Sequence, residues 1–136
     1  MIKKICLAVM ILLLCAGLSA QTLRVKIFSQ QKIKETMFIP SFGRYTLDVD
    51  GKTLKLSRTS KLNFKENTSQ IEVSINDTLF AKGKKAKLIA EGLKCFFQIK
   101  PLNPAIQERR YDDGLEIYSD KKGALVIINT VEQENY

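Results

Sequence analysis

Residues able to do acid–base or nucleophilic chemistry are few and scattered in this chain. Asp112 and Asp113 are adjacent carboxylates, and Glu132 and Glu134 lie two apart near the C-terminal end. Neighbouring side chains on an extended chain point to opposite faces, so Asp112 and Asp113 are poorly placed to share a metal or to act as an acid/base pair. With Gly114 behind them they read as a turn. Cys95 opens the run CFFQI and reads as a buried strand cysteine behaving as a small hydrophobe. The sequence contains no histidine to activate it as a nucleophile. The same absence removes the usual general base and the commonest metal ligand. Arg109 and Arg110 can clamp a phosphate or carboxylate, or form a plain surface pair before a turn. Asn67-Thr68-Ser69 and Asn76-Asp77-Thr78 match the N-glycosylation triplet, and both also sit where turns are expected. From these residues no catalytic, cofactor-binding or metal-binding position is assigned.

The elements that must position such residues are strands. Leu23, Val25 and Ile27 alternate with Arg24 and Lys26, and Tyr45, Leu47 and Val49 alternate with polar neighbours, the period-2 pattern of half-buried strands. Asp50-Gly51 is a strong hairpin signal, leading into Thr53 to Leu56. Ile71, Val73 and Ile75 repeat the pattern, and Asn76-Asp77 turns the chain into Thr78 to Ala81. Met37-Phe38-Ile39 reads as a short run halted by Pro40. Residues 100–110 carry Pro101 and Pro104, which remove donors and favour extended geometry, so they read as a crossing connection. The fold expected is all-β: short antiparallel strands in a sandwich or partly open barrel.

Residues 114–136 organise the rest. Leu115 to Tyr118 is one strand, Ser119 to Gly123 a turn, and Ala124 to Ile128 a run apolar on both faces, expected to lie centrally with cover on both sides. Asn129 to Glu134 then reads as a loop entering a helix, with Asn129 or Thr130 as N-cap, and the chain reaches Tyr136 barely one turn in. The domain is therefore expected to end at the start of a truncated helix.

Residues 1–20 have Lys3 and Lys4 before an apolar stretch and small residues at Ala16, Gly17, Ser19 and Ala20. That is the organisation of a secretory signal peptide, a separate helix cleaved after Ala20. A retained anchor would need roughly 20 apolar residues. A lipoprotein at Cys15 would need a small residue where Leu14 stands. Cleavage leaves residues 21–136 as one domain with a modest core and Cys95 as its single cysteine, so no intramolecular disulfide. The formal charge of +8 falls to +6 without Lys3 and Lys4. For an exported protein this favours anionic partners such as wall polymers or lipid headgroups. The cationic run at residues 82–87, KGKKAK, lacks the aromatics that stack bases and reads as a solvated turn, so nucleic acid is not expected. No permanent membrane span is expected after signal cleavage.

RYDDGLEIY followed by GALVIINTVEQENY resembles the SpoIID/LytB family, the stage II sporulation protein D and amidase-enhancer group. Arg110, Tyr111, Gly114, Leu115, Glu116, Ile117, Ile128, Asn129, Val131, Glu134 and Tyr136 fall on that family's pattern. RVKIFSQ, FGRYTLDVDGKTL and FQIKPLNP are similar to its β-rich N-terminal part. The resemblance implies work on peptidoglycan in the periplasm or cell envelope: lytic cleavage of glycan strands, or stimulation of a wall amidase. The family's catalytic glutamate follows the E-x-Y element in a G-V-V-x-x-E helix segment. The sequence stops at Tyr136, and Glu134 matches the earlier, non-catalytic glutamate, so no catalytic role is carried over. The expectation is thus a truncated wall protein that is inactive as given. The alternative is a free-standing secreted β-domain that binds an anionic polymer or a partner protein.

Overall fold

The computed structural model describes residues 21–132, all of whose regular structure is strand. The expected signal helix, Glu134 and Tyr136 lie outside the described residues. The strands are β1 (Thr22–Ile27), β2 (Glu35–Val49), β3 (Lys52–Lys55), β4 (Leu62–Asn67), β5 (Gln70–Ile75), β6 (Thr78–Gly83), β7 (Lys85–Asn103), β8 (Arg109–Asp112), β9 (Gly114–Ser119) and β10 (Leu125–Glu132). They form one antiparallel sheet in the order β1-β10-β9-β7-β2-β4-β5-β6, with β3 added to β2 and β8 to β7. The sheet curls without closing. Its curl brings β9 back towards β4, where the Ser119 hydroxyl donates to the Glu66 carboxylate at 3.2 Å.

The spine is the pair β2 and β7, joined from Glu35↔Asn103 to Val49↔Ala86. Each strand changes which parity of residue faces the core. On β2 the buried set runs Thr36, Phe38 and then Tyr45, Leu47, Val49; on β7 it runs Ala86, Leu88 and then Cys95, Phe97, Ile99. A one-residue shift reverses every side chain on a strand. The two reversals occur opposite each other, where register breaks between Pro40 and Arg44. Both halves of the spine therefore keep their apolar faces inward while the ladder bends, as bulges allow. Gly43 at φ 85° permits the approach: a Cβ there would overlap the Cys95 sulfur and the Lys94 carbonyl oxygen.

Inside the curl Phe38 lies against Tyr45 edge-on at 5.3 Å and stacks on Phe97 at 4.9 Å, and Tyr111 continues the row at 6.0 Å from Phe97. Leu62, Phe64, Ile71 and Val73 fill the same core from β4 and β5. Truncating a core side chain of this size typically costs about 3–5 kcal/mol.

Four expectations need correction. Pro40 does not halt a strand; β2 runs through it, paired with Phe97 of β7, at a point where pairing with β4 has ended at Phe38 and β2 is an edge on that side, where proline is tolerated. Lys100 and Pro101 belong to β7, and β8 returns antiparallel along the same strand, so the proline segment is a tight reversal and not a crossing. The apolar run on β10 is buried at every position from Ala124 to Ile128, as expected, but it lies one strand from the edge. Asn129 and Thr130 cap no helix. They pair with Val25 and Arg24 of β1 on one side and with Leu115 and Gly114 on the other, so the ladder satisfies the backbone groups that a helix would have claimed.

Candidate functional site

At the bend of the spine the outward-facing residues are aromatic. Phe42 and Phe96 are register partners, and their rings stack at 5.4 Å with planes 13° apart. Arg110 sits on β8 opposite Gln98, one diagonal step from Phe96, within reach of a long side chain. Its guanidinium carbon lies 3.5 Å from the Phe96 ring centroid. Three planar groups thus form one layered face. Phe42 is 53% exposed and Leu93, at the tip of the β7 bulge, 85% exposed. A cleft of about 380 Å³ against Phe96 is lined by Leu93, Lys94, Arg110 and Asp112. Another of about 480 Å³ against Phe42 is lined by Arg44, Lys55, Arg58 and Glu91. The face is therefore apolar at its centre and mostly cationic at its rim.

That combination is suited to binding. A flat exposed ring offers apolar contact area, and an arginine held by a ring keeps its donor fork for a carboxylate or phosphate. Among the described residues Arg110 forms no ion pair. The nearby carboxylates include Glu91, which accepts the Thr46 hydroxyl.

The motif residues of the sequence converge here in part. Asn129 donates to the carbonyls of Asp112 at 2.8 Å and Gly114 at 2.9 Å, bracing the kink between β8 and β9. Gly114 is buried there, and Tyr111 packs inward on Phe97 and Phe28. Arg110, Tyr111, Gly114 and Asn129 thus share one neighbourhood, and of these Arg110 reaches the exposed face. Arg109 and Arg110 do not form a joint clamp: Arg109 lies 5.0 Å over Phe28 and Arg110 over Phe96, because adjacent strand residues point apart.

The carboxylates serve the fold. Asp113 stands between β8 and β9 at φ 65°, and its side chain accepts the Glu132 amide at 3.0 Å. Asp50 accepts the amides of Lys84 and Lys85, shaping the lysine-rich turn into β7. Asp120 accepts the Ala124 and Lys122 amides, which hold its carboxyl below the ordinary range. Cys95 is buried, its thiol directed at the Arg44 and Glu91 carbonyls. Asn67 donates to Glu72 within the β4–β5 hairpin it closes, and the Asn76 side chain accepts the Lys61 amide just before β4. Among the described residues no three potential ligands from His, Cys, Asp and Glu gather as a metal site, and no helix is long and apolar enough to cross a membrane.

Sequence patterning passed over Phe42, Phe96 and Leu93. The available signal was CFFQI itself: on a strand, two consecutive phenylalanines cannot both face the core.

Comparison with known proteins adds no relative. No family model, no curated protein and no solved structure matches the chain.

Proposed function

We propose that this protein is an exported, envelope-facing binding module that holds peptidoglycan glycan strands without cleaving them. The observation that carries the proposal is the exposed Phe42–Phe96–Arg110 stack. Sugar rings present flat C–H faces that suit aromatic platforms, and wall glycans carry carboxylates that suit an arginine fork. The signal-like residues 1–20 and the net charge of +8 support an anionic partner outside the cytoplasm. The resemblance to the SpoIID/LytB pattern supports peptidoglycan as the polymer, and Arg110 is the motif residue on the platform. The described carboxylates brace turns and kinks, which favours holding over hydrolysis.

Co-sedimentation with purified peptidoglycan sacculi tests this. The protein is expected in the pellet, competed off by soluble glycan fragments, with no release of sugar products. Protein that stays in the supernatant at low ionic strength overturns the proposal.

A further inference from the structure

A second cleft, sharing no lining residue with the aromatic face, opens where the curl of the sheet brings β9 near the β4–β5 turn. It measures about 600 Å³, and Arg24, Lys84, Lys85 and Lys121 converge on it around the ring of Tyr118. Two of these cations are already engaged. Glu116 accepts Arg24 at 2.6 Å and Lys85 at 3.2 Å. Burial alone would raise its carboxyl, but the bonds from Lys85 and Arg24 outweigh that and hold it below the ordinary range. The nearby Glu66 is bonded to the Ser69 amide and the Ser119 hydroxyl. Lys84 and Lys121 are exposed and form no ion pair among the described residues. Counted against these two carboxylates, the four cations leave the cleft a positive excess.

The wall formed by Thr68 and Ser69 adds a second feature. Both residues are at positive φ, 50° and 67°, in a two-residue hairpin that most often uses Asn-Gly. A β-branched residue in that region is an outlier. The chain places two hydroxyl-bearing residues at the cleft instead.

We infer that this cleft is a binding site for a phosphate group on a polyol or sugar. Arg24 meets Glu116 through one guanidinium nitrogen, so most of the charge left without an ion pair at the cleft is on the two lysines, Lys84 and Lys121. Lysines are compact point charges with rotatable donors, and they suit a tetrahedral, multiply acceptor-bearing anion. The Tyr118 ring gives the attached polyol an apolar floor. The phosphate can come from a soluble phosphodiester chain or from a lipid headgroup.

Titration of the ¹⁵N-labelled protein with glycerol 3-phosphate, inorganic phosphate, acetate and phosphatidylglycerol vesicles tests this at low ionic strength, where exposed charges are least screened. Glycerol 3-phosphate is expected to shift the amides of Ser69, Lys84, Lys85 and Lys121, with acetate much weaker. The double variant Lys84→Gln/Lys121→Gln should bind about tenfold more weakly or worse, and Lys100→Gln, exposed on β7 and lining neither this cleft nor the aromatic face, should bind unchanged. Vesicle binding lost in the same double variant assigns the phosphate to a lipid headgroup; glycerol 3-phosphate binding without vesicle binding assigns it to a soluble polymer. Equal response to acetate, or equal affinity in the folded double variant, overturns the inference.

Discussion

The hydroxyl of Tyr45 donates a 2.6 Å hydrogen bond to the carbonyl of Asp113, joining residues 68 apart in sequence. One end lies in β2 and the other at the kink between β8 and β9, so this buried bond ties the kink to the spine beside the β7–β8 ladder and the Asn129 brace. Arg110 is three residues from that kink. Tyr45→Phe keeps the ring packing and leaves the Asp113 carbonyl without this donor. Loss of about 1–3 kcal/mol is expected, read as a lower urea midpoint with an unchanged slope.

The same bond sets an alkaline limit. Burial, reinforced by Cys95, Asp113 and Asp112, raises the Tyr45 phenol well above its ordinary value. A raised value means that the folded state holds the proton more tightly, so the term is fully present below about pH 10, where an unfolded tyrosine titrates, and is lost as pH rises beyond it. Stability of the wild type should fall more steeply above pH 10 than that of Tyr45→Phe. Parallel pH profiles would contradict the burial of this phenol.

At Gly114 a Cβ would stand 2.5 Å from the Thr130 hydroxyl and 2.9 Å from the Leu88 carbonyl oxygen. Gly114→Ala must therefore push β10 and β7 apart, at a cost of about 1–3 kcal/mol. Asn129→Leu removes both donors to the kink carbonyls and should cost a similar amount. Thermal melts of the two variants check this, and amide exchange should accelerate first at residues 110–114 if the brace acts locally.

Much of the fold was legible because apolar alternation and turn chemistry act over a few residues. Asp50-Gly51, Asn76-Asp77 and the Asp120 turn all stand where sequence places them. What was hidden depends on partners far along the chain. Pro40 lies within a strand because Phe97 of β7, far along the chain, pairs with it where β4 has already ended, and Asn129 lies in a strand because β1, more than a hundred residues earlier, supplies an edge. The candidate face was hidden for the same reason: Phe42, Phe96 and Arg110 meet only after β2, β7 and β8 are paired.

Cys95 is 3% exposed, as its place in CFFQI led one to expect. A thiol reagent should modify it slowly in native buffer and fast in denaturant. Equal rates would show an open thiol and a different packing at Gly43.

The Arg24–Glu116–Lys85 cluster makes an acid-side prediction. Burial opposes ionisation of Glu116, and its bonds to Lys85 and Arg24 overcome this, so its folded value is depressed. Its stabilising term is then present above about pH 4.3 and lost as pH falls through the depressed folded value. Side-chain carboxyl NMR titration should place the Glu116 midpoint below that of an ordinary glutamate, and Lys85→Gln should move it upward. A midpoint at or above the ordinary value would show that the cluster does not form.

The central claim, that the Phe42–Phe96–Arg110 face holds wall glycan, is tested most directly by sacculus co-sedimentation of Phe42→Ala and Arg110→Ala beside Leu79→Ala. Leu79 is equally exposed, at 53%, but lies on β6. Phe42→Ala and Arg110→Ala should each weaken binding about tenfold with little change in melting temperature, while Leu79→Ala binds as the wild type does. If all three folded variants sediment as the wild type does, the aromatic face is not the binding site.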